Sequence, residues 1–178
     1  MHLPLQLHPD SICPAVTAIT VDVTHPQASS MAFAYSITGT TRDLLIPSRH
    51  APMRTDDLWK HTCFEAFIGA SPDAGYYEFN FSPSMQWAAY EFAGYRSGMR
   101  VATAIQAPSI TVDSQAAHFT LLTRLELGQI KLPREGKWHL GLSAVIEDRN
   151  GQKSYWALAH PPGKPDFHRA DCFMHEFS

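Results

Sequence analysis

Cysteine is scarce. Only Cys13, Cys63 and Cys172 occur, an odd number at long spacings, which offers neither a disulfide framework nor a paired-cysteine zinc or redox motif. Three buried thiols packing as small apolar groups are the expectation. An excess of one charge is also lacking. The 14 lysines and arginines stand against 17 aspartates and glutamates and are scattered, so there is no electrostatic footprint for nucleic acid or an anionic membrane surface. No uninterrupted apolar stretch approaches the roughly 20 residues that a membrane helix needs. The opening MHLPLQLHPDSIC has no basic region ahead of a long apolar run and no small-residue cleavage site. The expectation is a cytoplasmic protein whose partners are neither nucleic acid nor membrane.

Signatures of catalysis are missing as well. There is no HExxH, no nucleophile elbow, no phosphate-cradling glycine loop and no catalytic Cys-His signature, so an enzyme is the less favoured expectation. Internal repeats, low-complexity tracts and long amphipathic helices are equally absent. What is abundant is apolar residue, 44% of 178 positions, enough for one domain spanning residues 1–178 to bury a core without metals or disulfides.

The chain is organised around Asp56 to Phe92. In Tyr76 to Phe81, Tyr77, Phe79 and Phe81 fall on one face and Tyr76, Glu78 and Asn80 on the other, the pattern of a half-buried strand. Trp87 to Phe92 is its expected hairpin partner across the Ser82-Pro83-Ser84 turn. A strand is expected from about His61 to Ile68, although Trp59, Cys63 and Phe67 also recur at helical spacing after a possible cap at Asp56. Further strands are read at His2 to His8, Val16 to Thr24, Met31 to Thr38, Leu44 to Pro47, Arg100 to Ile105, Ser109 to Val112, His118 to Leu127, Trp138 to Glu147 and Ser154 to Leu158. Asn150-Gly151 marks a hairpin turn between the last two. About eleven short strands without helical crossovers predict an all-β, antiparallel two-layer sandwich.

The central block and the tail resemble a bacterial family of DOMON-like domains related to the family 9 carbohydrate-binding modules. The likeness rests on Leu58-Trp59, Cys63-Phe64-Glu65-Ala66-Phe67, Tyr77-Glu78-Phe79-Asn80-Phe81-Ser82-Pro83, Gln86-Trp87-Ala88-Ala89-Tyr90, Ser154-Tyr155-Trp156-Ala157-Leu158 and the run from His160 to His168, HPPGKPDFH. The resemblance implies an immunoglobulin-like β-sandwich. It also implies a ligand, since relatives bind sugars or, in the cytochrome branch, haem.

A sugar site needs flat apolar faces and a few oriented polar groups. Trp59, Trp87 and Trp156, with Tyr90, Trp138 and Tyr155 behind them, are candidate platforms. Glu65, Glu78, Asn80, Arg54 and Lys164 are candidate hydrogen-bonding groups. Any single aromatic is more often sandwich core, and strand glutamates more often face solvent. Trp59 stands apart because it ends a polar loop. The prolines of HPPGKPDFH stiffen that segment and would fix His160, Lys164, Asp166 and His168 in place for binding; the alternative is a rigid edge cover with Asp166 capping backbone amides.

Other ligand classes are less well supported by pattern. His160 and His168 with Asp166 or Asp171 are candidate metal ligands, and His61 or His118 with Met85 or Met99 candidate haem ligands, but neither set has diagnostic spacing. Glu65 and Glu78 form an acid–base pair only if they are neighbours across the sheet. The leading expectation is a non-catalytic module binding a saccharide or sugar-containing metabolite. Haem binding and a protein-interaction module without a small ligand are the alternatives.

Overall fold

The structure is a computed structural model and describes residues 1–27, 29–70, 75–133 and 137–177. Among these the chain forms twelve strands: β1 (His2–Leu7), β2 (Val16–Gln27), β3 (Ser30–Gly39), β4 (Cys63–Gly69), β5 (Tyr76–Phe81), β6 (Trp87–Phe92), β7 (Arg100–Val101), β8 (Ser109–Ser114), β9 (His118–Glu126), β10 (Trp138–Glu147), β11 (Lys153–Ala157) and β12 (His175–Phe177). The hydrogen-bonded order is β7-β6-β5-β4-β10-β11-β1-β2-β3-β9-β8, with β12 on β10. The predicted all-β antiparallel sandwich is observed. β1 is its crease: His2 to Leu5 pair with β2 in one layer, while Gln6 and Leu7 pair with β11 in the other. No helix among the described residues is long and apolar enough to cross a membrane.

Strand periodicity explains most of the packing. On β9 the buried positions Phe119, Leu121, Thr123 and Leu125 alternate with more exposed ones, as the sequence predicts. On β2 a register shift between Val16 and Ala18 moves Val16 to the buried side with Ile19, Val21 and Val23, the parity change that a bulge produces. Gly39 ends β3 at φ +148°, where a Cβ would lie 2.1 Å from the Ala15 carbonyl oxygen. The layers meet through Phe33, Tyr35, Phe64, Phe79, Phe81 and Phe119. Tyr35 also donates its hydroxyl to the Glu65 carbonyl at 2.7 Å, so the polar tip of a buried ring is satisfied across the sandwich.

Several local expectations are corrected. The segment before β4 is a short 3₁₀ turn, Leu58–Lys60, and the strand begins at Cys63 rather than His61. Leu44 makes a single bridge to Asp148 rather than a strand through Pro47, because Thr41–Asp43 is a 3₁₀ turn that turns the chain there. β7 is two residues long. The β10–β11 connection spans residues 148–152 rather than two residues: Asp148 Oδ1 accepts from the Asn150 and Gln152 amides, and only Gly151 uses a positive φ.

The largest departure is at β4 and β5. Every residue of both strands is buried, where alternation predicts a solvated face. The outward face carries a second apolar cluster of Leu58, Cys63, Phe67, Tyr76, Tyr90, Phe92 and Val145, over which Phe167 and Phe173 of the tail pack. The tail therefore roofs this sheet and encloses its polar residues.

Candidate functional site

The roof is incomplete. Between the tail, the turn at Gly94–Ser97 and the 3₁₀ turn at Leu58–Lys60 lies a cleft of about 410 Å³ over the outer face of β4, β5, β10 and β11. Trp59 forms one wall. It is half-buried and sits edge-on to Tyr90, with ring centroids 5.9 Å apart, and the Tyr90 hydroxyl is fixed by Asp56 Oδ1 at 2.6 Å. Asp57, just before the turn, takes a left-handed φ of +64°, which brings the chain round so that Trp59 faces the sheet. Phe92, Tyr155 and Phe167 supply the other aromatic walls.

The floor holds two carboxyls. Glu65 on β4 and Glu78 on β5 are diagonal neighbours on one face, since Glu65 pairs with Asn80 and Glu78 with Phe67. They are 3% and 6% exposed. The Ser143 hydroxyl donates to Glu65 Oε2 at 2.7 Å, and the Asn80 amide donates to Glu78 Oε1 at 2.7 Å. Burial, reinforced by the neighbouring Glu78, pushes Glu65 up to about 8. Burial also raises Glu78, against the opposing pull of Asn80 and Arg96. The pair therefore carries at least one proton near neutrality. Such a pair both donates and accepts hydrogen bonds, as a hydroxyl ligand does.

The tail supplies the fourth side. His168 sits among Phe67, Tyr76 and Phe92, at ring-centroid distances of 5.1–5.9 Å. Its Nδ1 is 2.8 Å from the Tyr76 hydroxyl, and its Nε2 faces Glu78 Oε2 at 3.7 Å. Burial, with help from Arg96, lowers His168 to about 4 and keeps it neutral. Asp166 fastens the tail to the turn: its Oδ1 accepts from Arg96 Nε at 3.1 Å, Arg96 Nη2 at 2.9 Å and the His168 amide at 3.2 Å, and its Oδ2 accepts from the Tyr95 hydroxyl. Burial opposes the Asp166 charge, but these donors outweigh it and hold the carboxyl below its ordinary range.

The nominated residues thus separate into groups. Trp59, Glu65, Glu78 and His168 line the cleft together, with Asn80 bonded to Glu78 beneath and Asp166 positioning its rim. Trp87 and Trp156 lie on the opposite faces of β6 and β11, in the core between the layers. The outward ring face of Trp87 is covered by the Arg54 guanidinium at 4.1 Å. Arg54 itself donates to the carbonyls of Ala89, Ala102 and Ile105, so it braces the loop after β7 and does not line the cleft. His160 bonds the Gln6 carbonyl and stacks edge-on against His8. Lys164 is exposed on the tail outside the cleft.

The residues nominated for metal or haem are dispersed. His61 bonds Glu147, His118 bonds Thr120, Asp171 pairs with Arg169, and Met85 packs against the core. Met99 lines the cleft. Among the described residues no group of three or more His, Cys, Asp or Glu side chains is placed to hold a metal ion. The sequence reading missed Lys60, Phe92, Arg96 and Lys153 in the cleft. Lys153 was recoverable from parity, because it shares a face of β11 with Tyr155; Arg96, in a turn, had no such signal.

No protein-family model matches the chain, and no curated protein matches it in sequence. Solved structures do match in shape. A candidate carbohydrate-binding protein from Bacteroides uniformis ATCC 8492 aligns with a TM-score of 0.70 at 11% identity, over 97% of this chain and 84% of that one. A family 9 carbohydrate-binding module from Caldicellulosiruptor kristjanssonii, in complex with cellotriose, aligns with a TM-score of 0.56 at 8% identity, over 92% of this chain and 74% of that one. At these identities the likeness is one of fold: the chain has the β-sandwich of these proteins.

Proposed function

We propose that this protein is a DOMON-like relative of the family 9 carbohydrate-binding modules, and that it binds a saccharide in the cleft without transforming it. The observation that carries this is the placement of Trp59 as a wall beside a floor made by the buried Glu65 and Glu78 carboxyls. A sugar presents apolar C–H surface on its ring faces and hydroxyls at its edge, and the cleft offers an aromatic wall for the first and a donor–acceptor pair for the second. The fold shared with a module solved in complex with cellotriose supports the same reading. The reading as a binder rather than a catalyst rests on the carboxyls, each tied to a neighbouring side chain within the floor.

Trp59→Ala tests the proposal. Removing a central aromatic wall is expected to weaken a sugar by tenfold or more, the scale of about 2 kcal/mol for a buried aromatic anchor. Because Trp59 is half-buried at the end of a loop, the variant should remain folded. Calorimetric titration with a panel of mono- and oligosaccharides reads the effect. A ligand whose affinity is the same in wild type and Trp59→Ala would remove Trp59 from the site.

A further inference from the structure

Three cationic side chains, Lys60, Arg96 and Lys153, line the same cleft. Two are neutralised locally. Lys60 Nζ lies 2.6 Å from Asp57 Oδ2, and Arg96 is clamped on Asp166. Lys153 differs. It is half-buried on β11 in register with Glu147, but Glu147 Oε2 is engaged by His61 Nδ1 at 2.7 Å. No carboxylate among the described residues lies within ion-pair distance of Lys153. Lys153 makes no ion pair among the described residues, so its ammonium is available to an incoming anion, which it binds more strongly than a neutral hydroxyl.

Register places this cation away from the carboxyl floor. The Glu65 level on β11 is Ala157, reached through Ser143, so Lys153 is offset from that level by four residues, roughly 13 Å along the strand. Val145 and Cys63 mark the same direction, towards the 3₁₀ turn that carries Trp59 and Lys60. The end of the cleft towards the 3₁₀ turn therefore presents the Lys153 ammonium, and the far end is a hydrogen-bonding floor. Retention of a proton by the carboxyl pair limits the negative charge that the floor sets against an anionic ligand.

We propose that the saccharide is an acidic one, a uronic acid or a sugar phosphate, whose anionic group is received by Lys153 while its ring lies against Trp59. This deepens the saccharide reading and rests on it.

The test is calorimetric titration of the whole chain with glucuronate, galacturonate and glucose 6-phosphate, beside glucose, galactose and inorganic phosphate. Wild type is compared with Lys153→Gln and with Lys131→Gln, an exposed lysine outside the cleft, as the charge control. The acidic sugars are expected to bind at least about tenfold more tightly than their neutral parents, the scale of one hydrogen bond to a charged group. Lys153→Gln should abolish that preference, and Lys131→Gln should change nothing. The uronate and phosphate arms identify which anion is preferred. Neutral parents binding as tightly as acidic sugars would overturn the inference and leave the saccharide reading standing. Inorganic phosphate binding as tightly as the sugar phosphate would reduce the site to an anion site and overturn the inference. No heat from any sugar with folded protein would remove both.

Discussion

Glu65→Gln is expected to flatten the dependence of folding stability on pH between pH 6.5 and 8, removing a loss of about 2 kcal/mol that wild type suffers across that interval. The native state holds a proton on Glu65 up to about 8, whereas the unfolded chain releases it near its ordinary 4.5. Stability from this group is full below 4.5 and falls as pH rises towards 8, because over that window the folded protein binds more protons than the unfolded one. His168 works in the opposite sense. Its native value is about 4 against an ordinary 6.5, so its contribution is full above 6.5 and falls as pH drops towards 4. The two slopes oppose each other from 4.5 to 6.5 and leave a net loss of stability from 6.5 to 8. That interval is about 1.5 units, or about 2 kcal/mol at ~1.36 kcal/mol per unit.

Glutamine keeps an acceptor for the Ser143 hydroxyl and removes the ionisable group that faces Glu78. Urea unfolding at half-unit steps from pH 6.5 to 8 measures the effect. A wild-type profile that is flat or rising over this range would show that the carboxyls are not held protonated. So would a Glu65→Gln profile parallel to wild type.

The second large effect is expected at the clasp. Asp166→Ala removes the acceptor for Arg96, Tyr95 and the His168 amide together and should destabilise the protein by about 2 kcal/mol. The Arg96 side chain is 51% exposed, so solvent recovers part of its loss and keeps the figure below that of a fully buried pair. A loss of this size lowers the melting temperature by about 5 °C in a domain of this length. The tail should also open locally before global unfolding, so native-state trypsin should cut sooner after the exposed Arg169. Asp166→Asn, which keeps one acceptor oxygen, should fall between the two proteins. Unchanged melting and unchanged cleavage in Asp166→Ala would mean that the tail is held by its apolar contacts alone.

How far the site was legible from sequence depends on which question each residue poses. Alternation sorts β5 into Tyr77, Phe79, Phe81 and Tyr76, Glu78, Asn80, and that division is observed. It cannot say which face meets the other layer when both carry large aromatics. Trp87 and Trp156 illustrate this: each alternates with an aromatic on the opposite face, Tyr90 and Tyr155, and in both strands the tryptophan faces the core. The burial of Glu65 and Glu78 was illegible for a related reason, since the cover comes from Phe167 and Phe173, about a hundred residues later in the chain. Trp59 was recognisable because it interrupts a polar stretch. Lys153 and Arg96, single cations in a short strand and a turn, look like ordinary surface until the fold brings them to the cleft.

The chain has four tryptophans, and their positions allow the cleft to be tested with a single spectrum. Trp156 Nε1 donates to Ser154 in the core, Trp138 Nε1 donates to the Pro133 carbonyl, Trp87 lies beneath Arg54, and Trp59 lines the cleft. Titration of ¹⁵N-labelled protein with the tightest sugar of the panel, following the four indole N–H signals, should shift the Trp59 signal progressively and leave the other three in place. The Trp59→Ala variant assigns the signal. A sugar that binds while moving the Trp87, Trp138 or Trp156 signal and not that of Trp59 would contradict saccharide binding in this cleft.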